Sequence, residues 1–410
     1  MSTLPELPSY WHRSTSFEPR YDSLPATIDV AVIGGGYLGS SITYWLARRG
    51  VKVAMLERGV IAAGASGRNG GLMIASTTGS YTDSIKRFGH ETARAILQLT
   101  IDSRATLRQV LAEEEIDADY REHGNLNLSL GEAELADDRA EVEALHKDGF
   151  AAELLDRQQL QDLIFTPLGD LITGGIYKPE NGQLHSAKFV RGLAAAAQRR
   201  GALLCAGVEV QKISRDGEGV LIETNQGTLR AGSLAVAVNA WSSTLIPELK
   251  GVIRPVRGQV LAYAPTKPVF ACGMGASLTP TGEYWQQTLD GSIVLGGCRA
   301  NAPDGEVDVL PLALNETVQS AIDKVFPRLF PQLEGLEVAH RWAGPMAFTK
   351  DYTPIADRVP GLANAWFVGG FSGHGMPFGM CLGPAVAEAV ATGQAPVALS
   401  YFRHDRPTLA

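Results

Sequence analysis

Between Val30 and Arg58 the chain reads Val-Ala-Val-Ile-Gly-Gly-Gly-Tyr-Leu-Gly-Ser-Ser-Ile-Thr-Tyr-Trp-Leu-Ala-Arg-Arg-Gly-Val-Lys-Val-Ala-Met-Leu-Glu-Arg, and no other stretch constrains the fold as much. A short β-branched run enters a glycine turn, a helical pattern follows, and a second apolar run ends at an acid. Strand, turn, helix, strand and acid in this register make the opening half of a dinucleotide-binding fold. Gly34, Gly36 and Gly39 satisfy G-x-G-x-x-G. The first permits the tight turn, the second a close backbone approach to a pyrophosphate, and the third the packing of helix on strand. The helix N-terminus adds unpaired N–H groups and a partial positive charge. Glu57, at the end of the second strand, stands where a carboxylate accepts ribose hydroxyls, which serves FAD and NAD equally.

A chain of 410 residues can bury a large core in two or three domains. The formal net charge of -8, with no lysine or arginine block, argues against nucleic acid as a partner. No apolar run reaches the roughly 18 residues of a membrane span. Residues 1–20 lack the charged start and apolar centre of a signal peptide. Cys205, Cys272, Cys298 and Cys381 are far apart, which suits a reducing cytoplasm and gives no metal site.

Residues 1–27 read as an irregular arm anchored by Tyr10 and Trp11. The loop 62–71 is dense in small residues, as expected of backbone wrapped closely around a ligand, with Arg68 available for an anion. Residues 81–117 read as helical, 120–130 as a strand, and 132–147 and 156–163 as helices, outside any glycine fingerprint. After a helix over 187–200, strands at 203–210, 219–225 and 231–239 return to the first sheet, with Val208 and Val210 placed for an adenine edge. Runs at 252–263, 284–287 and 292–296 alternate as strands of a second, mainly antiparallel sheet. A buried strand over 365–368 then enters Gly369-Gly370-Phe371-Ser372-Gly373-His374-Gly375, a second glycine turn ahead of a helix over 384–391. The expected fold is α/β. A discontinuous Rossmann-like nucleotide domain takes 28–80, 185–245 and 340–400, and an α+β substrate domain takes 81–184 and 246–339.

These pieces in this order resemble flavoproteins of the D-amino-acid oxidase superfamily, in the branch of glycine oxidase, sarcosine oxidase and gamma-glutamylputrescine oxidase. The resemblance rests on Val-Ile-Gly-Gly-Gly-Tyr-Leu-Gly (32–39), Leu-Glu-Arg (56–58), Ala-Ser-Gly-Arg-Asn-Gly-Gly (65–71) and Asn-Ala-Trp (239–241). It continues through Arg-Pro-Val-Arg-Gly-Gln (254–259), Asp-Gly-Ser-Ile-Val-Leu-Gly-Gly (290–297) and Gly-Phe-Ser-Gly-His-Gly (370–375). The cofactor it implies is FAD. Gly34, Gly36, Tyr37, Leu38, Gly39, Glu57 and Arg58 would hold the ADP half and Val208 the adenine. Ser66, Gly67, Arg68, Asn69, Gly70 and Gly71 would follow the pyrophosphate and flavin edge, with Asn239, Trp241 and Gly344 beside them. Gly373, His374, Gly375 and Met376 would meet the pyrimidine end, where reduced flavin gathers negative charge. The implied reaction is oxidation of a C–N bond by hydride transfer to flavin, giving an imine that hydrolyses, with oxygen or another acceptor taking the electrons. It requires an unprotonated amine and no strong base, so no catalytic residue is assigned.

Two departures from the family pattern matter. Amino-acid oxidases of this type carry arginine in Ala-Gly-x-Arg-Pro, where it clasps a substrate carboxylate. Here the sequence is Ala343-Gly344-Pro345-Met346-Ala347. Relatives that bind flavin covalently use a cysteine in the same region, so Met346 implies non-covalent FAD. An amine, N-substituted amine or polyamine derivative is therefore expected ahead of a free α-amino acid. Tyr284, Trp285, Arg257, Arg299, Trp342, Met346 and His374 are the candidates for the substrate pocket. A glycine or D-amino-acid oxidase, an NAD-dependent dehydrogenase, and a flavin-containing RNA-modification or binding module are the alternatives.

Overall fold

A computed structural model describes residues 7–76 and 79–410. Residues 1–6 of the expected arm and 77–78 of the expected nucleotide domain lie outside the described residues.

The opening motif folds as read. Strand Thr27–Ile33 runs through the glycine turn into helix Tyr37–Arg48 and then strand Val53–Glu57. The first sheet pairs Val53–Glu57, Thr27–Ile33, Gly227–Val236 and Ala365–Gly369 in parallel, with Leu203–Ala206 parallel at one edge. Ile355–Arg358 closes the other edge antiparallel, and a meander of Val210–Asp216 and Gly219–Thr224 joins through Gly227–Val236. Its central strands are apolar on both faces because helices Tyr37–Arg48, Ser186–Arg199 and Gly379–Thr392 pack on one side and a second apolar cluster, including Ile222, Leu229, Ile246 and Leu249, covers the other.

The second sheet has eight strands, antiparallel except where Gly273–Ala276 pairs with Asn125–Leu130. The outermost, Val338–Phe348, pairs with Arg254–Tyr263 from Arg254↔Phe348 to Tyr263↔Val338. This corrects the expectation that residues from 340 onward all return to the nucleotide-binding part, because the ladder to Arg254–Tyr263 captures that strand first. Trp285, Phe270, Phe326 and Phe330 form the aromatic core beneath this sheet. Two further boundaries differ. Gly89, at φ 80°, splits the first long helical stretch into Tyr81–Phe88 and His90–Glu113. The parallel edge strand stops at Ala206, so Val208 and Val210 lie on the connection and on the antiparallel meander.

The arm is pinned to the loop 62–71. Trp11 is buried and its indole N–H donates to Asn69 O at 2.6 Å, while the Ser9 hydroxyl donates to Gly67 O at 2.5 Å. Two imidazoles, His185 buried and His12 half-buried, complete the seam. The His12 Nε2 lies 2.9 Å from Ala62 O. His185 Nδ1 accepts the Lys188 N–H at the start of helix Ser186–Arg199, so its Nε2 carries the proton toward the Ser14 hydroxyl at 2.9 Å. Burial holds both rings down to about 4. Because the unfolded chain takes up these protons near pH 6.5 and the folded one only near 4, stability falls as pH drops across that window. Denaturant titrations between pH 7 and 4 are expected to show this loss, and His185→Gln to flatten its slope. A slope unchanged by that substitution would remove His185 from the account.

Candidate active site

A continuous cavity of about 1270 Å³ runs from the end of strand Val53–Glu57, past the first glycine turn and the loop 62–71, to the second glycine turn. It exceeds the 300–1,000 Å³ typical of pockets for drug-sized ligands.

At the first turn the backbone is locked. Gly34 has φ +109° and its N–H donates to Leu56 O at 2.8 Å. A Cβ on Gly39 would stand 1.8 Å from Gly34 O, so only glycine lets the helix start this close to the turn. The Glu57 carboxylate accepts the Gly35 N–H at 2.6 Å and the Gly59 N–H at 2.8 Å, which fixes it at the cavity wall with lone pairs left for a ligand hydroxyl. The Ser66 hydroxyl accepts the Tyr37 N–H at 2.8 Å, tying the small-residue loop to the helix N-terminus. The Arg58 guanidinium stacks 4.0 Å over the Trp241 ring, and both line the same end. Val208 lines it as well, but its N–H is used by Glu57 O at 2.9 Å. That leaves its carbonyl and side chain, rather than a full pair of backbone bonds, for an adenine.

Midway, Asn69 is an internal brace: its side-chain Oδ1 accepts the Gly71 N–H at 2.8 Å and the Ser186 hydroxyl at 2.5 Å. Its amide reaches Met376 Sδ at 3.5 Å, joining the loop to the second turn. Asn239, in left-handed backbone at φ 45°, accepts the Gly370 N–H at 3.0 Å and ties that turn to the parallel sheet. Arg68 does not meet the expectation of a guanidinium kept for an anion. It donates to Ala63 O, Leu7 O and Ala343 O at 2.8, 3.0 and 3.0 Å, joining loop, arm and second sheet, and contributes to the cavity wall beside Gly344.

At the far end Tyr284 lines the cavity; a Cβ on Gly70 would lie 2.7 Å from its ring and one on Gly296 2.5 Å from its hydroxyl. Burial pushes its phenol up to about 12. His374 N–H donates to Phe371 O at 2.8 Å, and His374 Nδ1 lies 3.1 Å from Ser372 O. A carbonyl only accepts, so Nδ1 carries the proton and Nε2 of the neutral ring is an acceptor. Burial lowers the imidazole's pKa, which favours that neutral form. Gly373, Gly375 and Met376 line the wall alongside. The helix read over 384–391 starts five residues earlier, at Gly379, and still begins beyond Met376, so the wall here is a loop rather than a helix end.

Three pocket candidates are placed elsewhere. Strand alternation turns Trp285 to the face opposite Tyr284, into the aromatic core. Trp342 is wholly buried against Val260 and Ala262 and its indole N–H donates to Arg68 O at 2.9 Å. Arg257 is bound to the Glu306 carboxylate, with Nη2–Oε1 at 3.0 Å, away from the cavity. Among the loop glycines, Gly67 packs against the arm, where a Cβ would lie 2.5 Å from His12 Nε2. Met346 and Arg299 do line the cavity. So do Arg87, Phe348 and Tyr352, which sequence reasoning missed. Phe348 was within reach of it, since period-2 alternation puts Phe348 on the same face as Met346.

A family model described as FAD dependent oxidoreductase matches residues 29–391. The chain belongs to the FAD dependent oxidoreductase family. Among relatives of this enzyme, gamma-glutamylputrescine oxidoreductase of Escherichia coli (strain K12) is 28% identical over 93% of the chain and 88% of its own length. Glycine oxidase of Geobacillus kaustophilus (strain HTA426) is 26% identical over 92% and 97%. The crystal structure of glycine oxidase from Geobacillus kaustophilus superposes with a TM-score of 0.81 at 22% identity, covering 93% of this chain and 99% of that one. The shared fold is therefore a nucleotide-binding α/β part plus an α+β part with a mainly antiparallel sheet. The fit to FAD is also local: the Gly34–Gly39 cradle that a Cβ would block, the fixed Glu57 carboxylate and a cavity reaching both glycine turns suit a long dinucleotide. Among the described residues no helix is long and apolar enough to cross a membrane and no group of His, Cys, Asp or Glu could hold a metal.

Proposed function

We propose that this oxidoreductase binds FAD non-covalently and oxidises the C–N bond of an amine, an N-substituted amine or a polyamine derivative in preference to a free α-amino acid. The observation that carries the reading is the single cavity joining the Glu57 end to Tyr284 and His374. Bound flavin would supply the hydride acceptor. The protein's part is binding, orientation and water exclusion. Glu57 and the first turn would seat the ADP half, and the loop from Ser66 to Gly71 would carry the chain of phosphates past Asn69. Gly373 to Met376 would bound the reactive end. Neutral His374, with Nε2 as acceptor, can take an N–H of an unprotonated amine, and Met346 gives an apolar wall where an arginine would clasp an α-carboxylate. None of the four thiols lines the cavity, which supports non-covalent binding. Free thiols throughout also suit a reducing cytoplasm.

The purified protein is expected to be yellow, to release its colour on acid precipitation, and to bleach anaerobically with a suitable amine. The screen should span sarcosine, glycine, D- and L-amino acids, and free and acylated polyamines. A colourless protein that cannot take up FAD would overturn the reading, and flavin that stays with the acid pellet would overturn non-covalent attachment.

A further inference from the structure

Beyond Met346 the cavity wall carries an ordered sequence of side chains. Met346 Sδ comes within 3.5 Å of where a Cβ on Gly373 would sit, so the thioether lies directly against the second turn. Phe348, two residues along the same strand, reaches 4.0 Å from that point. The Arg299 guanidinium stacks 4.9 Å over the Phe348 ring. Tyr352 meets Phe348 edge-on at 6.0 Å and Arg87 lies 5.3 Å over Tyr352. Going outward from Gly373 there is an apolar step, then a guanidinium, then a second one.

Neither arginine has a carboxylate partner among the described residues. Arg299 donates to Gly305 O at 3.2 Å and Arg87 to Asp351 O at 3.1 Å, each a single bond from a group with five donors. Burial draws the Arg299 pKa down, with only Tyr352 acting against it. Among the described residues lining the cavity the carboxylates are Glu57 and Glu209, one at the end of strand Val53–Glu57 and the other on the connection after Leu203–Ala206. A cationic substrate would therefore meet cations and no anion at this end.

We infer that the substrate carries a carboxylate set away from the reacting C–N bond by an apolar spacer, and that Arg299 is its principal partner with Arg87 outside it. A guanidinium stacked on a ring presents its edge N–H groups in the fork that matches a carboxylate. The apolar step at Met346 and Phe348 excludes a charge close to the reacting carbon and accepts one further out. Free polyamines are excluded, whereas amines bearing a distal acid are admitted. This rests on the proposed function, whose substrate class it narrows.

The test titrates holoenzyme with glutarate as an inert probe, alongside its neutral analogue 1,5-pentanediol and its cationic analogue cadaverine. Binding is read by calorimetry and by perturbation of the flavin spectrum. Glutarate is expected to bind saturably and more weakly as salt rises, with pentanediol and cadaverine at least tenfold weaker. Arg299→Gln should weaken glutarate at least tenfold, Arg299→Lys less, and Arg87→Gln about threefold, all with FAD content unchanged. With a carboxylate-bearing amine as substrate, Arg299→Gln should raise KM far more than it lowers kcat. Glutarate affinity unaltered in both Arg299 variants, or cadaverine binding tighter than glutarate, would overturn the inference. FAD uptake without a glutarate site sinks the inference and leaves the proposed function standing. Failure to take up FAD sinks both.

Discussion

Gly39→Ala is expected to lower FAD affinity about a hundredfold while leaving the second sheet intact. The added Cβ would stand 1.8 Å from Gly34 O, a main-chain atom that cannot yield. Gly34 is itself held by its bond to Leu56 O and by the approach of Ala237 O, 2.6 Å from where its own Cβ would be. Relief must come from moving helix Tyr37–Arg48 off the strands, which lifts its N-terminus away from the cavity. Overpacking of this kind costs about 1–3 kcal/mol, and each 1.4 kcal/mol is about a factor of ten in affinity. Gly59→Ala is the matched control. It also lies beside Glu57, but its Cβ would meet only ordinary contacts at 3.5 and 3.7 Å, and FAD binding should be unchanged. Fluorescence quenching of FAD on the apoprotein measures both, with far-UV circular dichroism reporting the fold. A Gly39→Ala protein that binds FAD like the parent would refute this reading of the turn.

The first turn was legible because it is local: strand, glycines, helix and acid are contiguous, and Gly39 answers to Gly34 within the motif, although the neighbour of Gly36 is Ser66 of the next loop. Half of the antiparallel sheet was legible by alternation, at 120–130, 252–263, 284–287 and 292–296, whereas Glu153–Asp156, Ile172–Lys178, Gly273–Ala276 and Val338–Phe348 were not read as strands. What the sequence could not show is which polar groups satisfy one another across the fold. Arg68 looked like an anion ligand because its local setting is small and flexible, yet its Nε and Nη1 donate to carbonyls of Ala63, Leu7 and Ala343. Trp285 was readable in part, since alternation allows only one of Tyr284 and Trp285 to face the cavity, but not which one.

The substrate end shows the same limit more sharply. Arg87 lies on a helix, Arg299 just past a strand, Phe348 at the end of another strand and Tyr352 in a turn at φ 61°. No spacing relates these four segments; only the closing of the second sheet against the long helices brings them together. The arginine missing at position 346 was visible in the sequence, and the guanidiniums further out were not.

Arg257→Met is expected to destabilise the protein by about 3–5 kcal/mol without altering FAD content or substrate affinity. Removing one partner of a buried ion pair leaves the other charge uncompensated, and that, rather than the loss of attraction, dominates. Glu306 is 1% exposed and Arg257 12%. Burial raises the Glu306 pKa, but hydrogen bonds from Arg257, Asn315 and Gln259 outweigh it and hold the carboxyl below its ordinary range. A folded pKa below the unfolded one, about 4.3, contributes stability above that pH and loses it as pH falls through the folded value. Without Arg257 the desolvated carboxyl should titrate upward, so the penalty of the variant should be largest near neutral pH and shrink on acidification. Arg257→Met combined with Glu306→Gln should recover most of the stability, because no buried charge is then left alone. Urea midpoints at pH 7 and pH 5 for the single and double variants measure this, with unchanged slopes showing that the transition itself is the same. Loss of substrate binding at full stability would instead return Arg257 to the pocket.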